Sequence, residues 1–218
     1  MPKPRHPLSR ERVLTAGLAL LDAEGLDGLS MRKLATALGV EAMSLYNHVK
    51  DKHDLLNGIV DQVLLQIEVP DPARPWRDRL DAFATRLYAV LIEHPAVVAV
   101  IASEQGRPSH PQVLQGMDSL VASIAQTGLT PREQVNAFRG LLALCFGFVL
   151  NHTQGLFGSK QQAQAGWAEW DVHTYDGRGL PNLARLAPHL LKTSADDDFR
   201  FMLDAYLDQL AARTRRKR

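Results

Sequence analysis

Gly25-Leu-Asp-Gly-Leu-Ser-Met-Arg-Lys-Leu-Ala35, then Leu38-Gly-Val40, then Ser44-Leu-Tyr-Asn-His-Val-Lys-Asp-Lys52 is the stretch on which the fold turns. Gly25 closes a candidate first helix that Ser9 can cap and that places Val13, Ala16, Leu20 and Leu21 on one face. Asp27-Gly28 supplies a turn, and Ser30 is placed to cap a short second helix with Met31, Leu34, Ala35 and Leu38 inward. Gly39 stops that helix, since glycine enters the left-handed conformation of a helix end without steric cost. A third helix is predicted almost at once, from about Glu41 to His48, with Leu45 and Val49 meeting the first two. Asp51 caps a fourth, to about Gln66. Two short helices joined across Gly39-Val40, with another packed behind them, form a helix-turn-helix whose second member can enter a major groove.

The residues turned away from Leu45 and Val49 are Ala42, Met43, Ser44, Tyr46, Asn47 and His48, a face of small, aromatic and amide groups that can read base edges. Asn47 suits adenine, Arg32 suits guanine, and the apolar Ala42 and Met43 suit thymine methyls. Tyr46, His48, Lys50 and Lys52 can meet phosphates, and the Ser30 hydroxyl with the first amides of the second helix makes an anion site. Tyr46 has the alternative of packing on the end of the first helix, and His48 that of a solvated surface histidine. Charge gives no such pointer. The net charge is +1, and residues 1 to 66 hold eight Lys/Arg against eight Asp/Glu.

The remainder also reads as helix, because apolar residues recur at three and four spacings without sustained alternation. The chain is therefore expected to be all-α. Pro70, Pro72 and Pro75 mark the boundary between a helix-turn-helix domain with its connecting helix, 1–66, and a larger helical domain, 67–218. In the latter, helices are predicted over Trp76–Glu93, Ala96–Ser103, Gln112–Thr127, 131–151, Asn182–Lys192 and Asp197–Arg213. Thr130-Pro-Arg-Glu133 is a capping box with proline at the first helical position. His94, before Pro95, is expected to cap helix-end carbonyls. Residues 155 to 181, rich in Gly and Gln, read as a mobile connection with one short helix at most.

The single cysteine, Cys145, lies in an apolar run and reads as a small buried hydrophobe. No apolar run reaches the ~18 residues of a membrane span, and the first residues lack the apolar core of a secretory signal, so a cytoplasmic protein is expected. No Gly-rich phosphate loop, His-Glu-x-x-His, Cys/His ligand spacing or Gly-x-Ser-x-Gly occurs. No enzyme, metal or cofactor is expected.

The quoted stretch, with the following Leu55-Leu56, resembles the DNA-binding signature of the TetR family of transcription regulators. Leu180-Pro-Asn-Leu-Ala-Arg-Leu186 and Phe199-Arg-Phe-Met-Leu-Asp-Ala-Tyr-Leu-Asp-Gln-Leu210 extend the likeness, more loosely, to the tetracycline-repressor branch. The resemblance implies a homodimeric repressor released from double-stranded palindromic operator DNA by a small-molecule effector. It places Ser30, Arg32, Ser44, Tyr46, Asn47, His48 and Lys52 at the DNA. Tetracycline-binding members carry glutamine where Ala42 stands and tryptophan where Asn47 stands, so a different operator sequence is expected. The helices near 131–151 and 197–213 would build a four-helix bundle with a second subunit. Effector binding would shift the fourth helix and so the spacing of the recognition helices.

For the effector pocket the apolar candidates are Phe83, Leu87, Met117, Phe138, Leu142, Phe146, Trp167 and Trp170, with His152 as a polar contact; each apolar one can equally be ordinary core. Glu68 and Ile101 stand where tetracycline-binding members hold magnesium through histidines, so that ligand is not expected. The rival readings are a helix-turn-helix protein controlled by a protein partner, for which Trp167 and Trp170 serve equally well, and a helical enzyme. Lys3 and Arg5 are placed to touch phosphate or minor groove from an N-terminal arm, whereas Arg213-Thr-Arg-Arg-Lys-Arg218 reads as a solubilising tail.

Overall fold

The computed structural model describes residues 7–103, 105–154, 181–190 and 194–215, and the described residues form helices and connections with no strand. The N-terminal arm with Lys3 and Arg5, most of the 155–181 connection with Trp167 and Trp170, and the tail beyond 215 lie outside them.

α1 spans Arg10–Gly28, and the Ser9 hydroxyl accepts the Arg12 N–H at its start. Gly25, at φ 71° and ψ −177°, breaks the helical path as its sequence position predicts, and one further turn carries the chain to Gly28. α2, Met31–Leu38, is capped by Ser30 and ends on Gly39 at φ 67°, whose N–H satisfies the carbonyls of Ala35 and Thr36. α3 covers only Ala42–Leu45, shorter than the predicted helix to His48. The Tyr46 and His48 amides bond three residues back, to Met43 and Leu45, so the chain leaves α3 in tight turns, and the second of these is fastened from α1 by Arg10 on the His48 carbonyl. α4, Lys52–Leu64, starts on Asp51, whose carboxylate accepts the Asp54 N–H at 2.8 Å.

α5 is Trp76–Glu93, α6 Pro95–Ala102, α7 Pro111–Ala125, α8 Pro131–Gln154, α9 Pro181–Leu190 and α10 Ala195–Arg215. The capping box opens α8 as predicted: the Thr130 N–H donates to the Glu133 carboxylate at 2.8 Å, and the Glu133 N–H returns to the Thr130 hydroxyl.

Two compact units emerge, the first holding residues 1–69 and 89–119, the second 70–88 and 120–218. In the first, α1 packs on α2, α4 and α6, and α6 also packs on α4. Gly17 and Gly58 let α1 and α4 approach: a Cβ at Gly58 would lie 2.6 Å from a Leu14 methyl, and one at Gly17 would lie 3.0 Å from an Ile59 methyl. The segment after α6 is tied to α4, since the Arg107 N–H donates to Asn57 Oδ1 and the buried Asp61 carboxylate accepts both the N–H and the hydroxyl of Ser109. His94 corrects its sequence reading. It makes no capping bond, and its Nδ1 lies 2.8 Å from the Asp22 carboxylate of α1, a partner that neutral carbonyls cannot match in charge.

In the second unit α8 packs on α10. Phe199 stacks on Tyr88 at 4.1 Å between ring centres and meets Phe148 edge-on at 5.7 Å. The Tyr88 hydroxyl donates to Asp196 and meets His152 Nδ1 at 2.9 Å. Burial and the Asp196 carboxylate raise the Tyr88 pKa, so this phenol stays protonated and donating. Tyr206 lies against Gly140 and donates to the Ala137 carbonyl. Cys145 is fully buried, and burial pushes its thiol up to about 12, which makes it the inert hydrophobe its sequence context predicts.

Candidate nucleic-acid interface

The site is built on α3, which has only four residues and no side-chain cap of its own. Such a segment has no intrinsic stability as a helix, so its position must come from packing. Leu45 and Val49 supply it, both fully buried in the first unit. With those two side chains inward, Met43 is left 75% exposed and Tyr46 44% exposed, and Asn47 is exposed as well. Ala42, Ser44 and His48 are half-buried at the edges of that face. The predicted outward face therefore exists, with Met43, Tyr46 and Asn47 as its most projecting members.

Arg32 is exposed on α2, and the Ser30 hydroxyl accepts the Lys33 N–H at 3.3 Å, which leaves its proton for an acceptor outside the chain. Lys52 is half-buried, with its amine 3.5 Å from the Leu26 carbonyl at the α1 end. That contact is long for a hydrogen bond, so the amine is held near the end of α1 without being consumed there.

Sequence reasoning missed the clamp behind α3. Arg10 donates one N–H to the His48 carbonyl at 2.7 Å and both Nη atoms to the Asp54 carboxylate, at 3.0 and 2.8 Å. Asp54 also accepts the Lys50 N–H at 2.8 Å. One ion pair thus ties the exit of α3 to α1 and α4. Positions 44 residues apart in the chain carry no local signal that could have revealed it.

The Arg10 hydrogen bonds, with the Lys50 N–H adding, outweigh burial and lower the Asp54 pKa from 3.8 to about 2. A carboxylate whose folded pKa lies below its unfolded one contributes stability that is complete above about pH 4 and is lost as pH falls toward 2. Asp54→Asn should therefore remove part of the acid sensitivity of unfolding in that window. Urea midpoints measured down to about pH 2.5 should fall less steeply for the variant than for the parent. Equal slopes would show that the clamp contributes nothing in solution.

The effector candidates fall differently. Phe83, Leu87, Phe138, Leu142, Phe146 and His152 belong to the second unit, Leu87 buried and the others half-buried, while Met117 is half-buried in the first. His152 is engaged with Tyr88. Arg79 was also missed. It is 3% exposed, and its Nε and Nη2 have no hydrogen-bond partner among the described residues. The sequence did hold a signal: an arginine four residues before Phe83 intrudes on the apolar stripe of α5.

Comparison with known proteins matches these regions. The family described as bacterial regulatory proteins, tetR family, matches residues 13–59, and the one described as tetracyclin repressor-like, C-terminal domain, matches residues 69–214. The HTH-type transcriptional repressor DrrR1 of Streptomyces coeruleorubidus is 38% identical over 137 residues, 62% of this chain and 50% of that protein. The chain thus spans about half the length of the first curated relatives it matches. The class A tetracycline repressor from transposon 1721 of Escherichia coli is 30% identical over 151 residues, 68% of each chain. Among solved structures, apo ActR from Streptomyces coelicolor superposes with a TM-score of 0.78 at 27% identity, covering 98% of this chain and 99% of that one. ActR in complex with actinorhodin gives 0.76 at 26%, covering 96% and 99%. With α2 and α3 inside one matched region and α8 with all but the last residue of α10 inside the other, the chain belongs to the TetR family of bacterial regulatory proteins.

Proposed function

We propose that this protein is a cytoplasmic, non-enzymatic transcription repressor that binds double-stranded operator DNA as a homodimer and leaves it when a small molecule binds. The observation that carries the reading is α3, buried through Leu45 and Val49 and projecting Met43, Tyr46 and Asn47 outward. Residues 1–66 would hold the DNA contacts, with Ser30, Tyr46, His48 and Lys52 on phosphate and Arg32, Ala42, Met43, Ser44 and Asn47 at the bases. Residues 67–218 would hold the effector and the dimer contacts, the effector beside Phe83, Leu87, Phe138, Leu142, Phe146 and His152. A relative solved with actinorhodin supports effector control. The ties from Asn57 and Asp61 to Arg107 and Ser109 give α4 a firm connection to the segment after α6, as a helix that relays effector binding requires.

Dimerisation is supported by α8. Within residues 131–153 an 18-residue stretch has a mean hydropathy of 1.3, enough by length and composition to cross a membrane, yet only 22% of that stretch is buried within the chain. An apolar helix so poorly covered calls for a second layer, and a second copy of the chain supplies one.

Selection of bound DNA from a random pool should return a near-palindrome with half-sites about 34 Å apart, one turn of duplex. Recovery of no sequence preference would defeat the proposal. On the selected site, Tyr46→Phe and Lys52→Ala should weaken all sequences alike, and Lys52→Ala should lower the salt slope by about one. Asn47→Ala should instead relax preference at one position, at a cost of about 1–3 kcal/mol on the parent site. A uniform loss from Asn47→Ala would remove it from base reading.

A further inference from the structure

One arginine among the described residues departs from the expected pattern of solvation. Arg10, Arg77 and Arg200 all retain solvent exposure and each has a carboxylate, in Asp54, Asp208 and Asp81. Arg79 is 3% exposed and has none, and two of its three guanidinium nitrogens find no hydrogen-bond partner, among the described residues. A guanidinium is a planar, positively charged fork of N–H donors with no acceptor of its own. A buried cation without an anion is among the least favourable arrangements in a protein interior. The nearest acids along the chain do not relieve it: Asp81 is taken by Arg200 at 2.5 Å, and Asp78 is exposed.

The helix also fixes what lies beside this charge. Residues four and eight positions on share its face, and these are Phe83 and Leu87. A planar donor fork at one end of an apolar strip is the complement of a molecule with a carboxylate at one end and a hydrocarbon or aromatic body.

We propose that Arg79 is the anion-binding residue of the effector site, and that the effector is an organic acid whose carboxylate pairs with its guanidinium. This rests on the effector reading above. The cation is buried in advance and has no carboxylate partner among the described residues, so a neutral analogue of the same shape gains nothing from it. Specificity for an acid then follows from a group left unpaired when the wrong ligand binds.

The test uses the full-length chain and two probes of equal shape, 2-naphthaleneacetic acid and its primary amide, titrated by calorimetry. The parent protein should bind the acid at least about tenfold more tightly than the amide, as a charge-assisted bidentate pair predicts. Arg79→Met should lose that preference and keep its affinity for the amide. Without any probe, Arg79→Met should melt no lower than the parent, because an uncompensated cation has been replaced by an apolar chain. If Arg79→Met does not fold, Arg79→Gln serves the same comparison.

Equal binding of acid and amide by the parent, or binding of neither at millimolar concentration, overturns the proposal. So does a probe-free loss of several degrees in the variant, which would reveal an internal acceptor. Operator release separates this result from the parent reading. If acid and amide free the operator equally well, effector control survives and the anion site does not. If acid binding depends on Arg79 but never frees the operator, the reverse holds.

Discussion

Leu45→Ala is expected to abolish operator binding and to lower the stability of the protein by about 2–5 kcal/mol. Leu45 is fully buried, and with Val49 it is one of two apolar side chains that fasten α3 and its exit to the first unit. Truncation removes its transfer free energy and leaves a cavity that α2 and α3, short and closely joined, can only partly close. The DNA effect should exceed what the global loss alone would give. A four-residue helix without a cap does not persist once its packing is gone, whereas longer helices of the same unit survive a local opening. Urea unfolding and fluorescence anisotropy on the selected operator check the two halves separately. A variant that loses stability yet binds operator as the parent does would show that α3 is held by its turns and the Arg10 clamp, with Leu45 merely filling space.

What the sequence allowed to be read was the chemistry that neighbouring residues exchange. Ser9, Ser30, Asp51 and Thr130 each cap the helix that follows them, and Gly25 and Gly39 break the path where a positive φ is needed. These follow from side chains meeting backbone groups two to four residues away. The length of α3 was misjudged because its exit is set from outside, by Arg10 on the His48 carbonyl. His94 was misjudged for the same reason, its partner Asp22 lying 72 residues earlier. The Ser109 contact with Asp61 crosses 48 residues and was equally invisible.

The exposed face proposed for DNA was legible because alternation of buried and projecting residues on one short helix fixes it locally. The effector site was not, because a pocket is made by several helices at once and every apolar candidate on a helix face serves equally as core. Arg79 is the instructive exception. A charge within an apolar stripe is visible in sequence, but only burial without a partner gives it meaning.

The second large effect concerns the uncovered side of α8 and α10. Phe201 is 72% exposed, Met202 and Val135 are also exposed, and so are the small Ala143, Gly147 and Ala205 on the same two helices. Gly147 is the sharpest probe. A Cβ built there meets nothing within 4 Å among the described residues, so the backbone of α8 is open to a side chain at this position. Helix propensity even favours replacement, by roughly 0.5–1 kcal/mol for an ordinary residue over glycine. Gly147→Glu should therefore fold as well as the parent by circular dichroism, and yet place a charge where an apolar partner surface must close. Sedimentation at micromolar concentration should show monomer for the variant and dimer for the parent. Operator affinity should drop by about two to four orders of magnitude, because two half-sites are then bound one at a time. Phe201→Asp should do the same from α10. If either variant remains dimeric with parental affinity, the two-fold contact lies elsewhere, and the exposed apolar face of α8 and α10 needs another occupant.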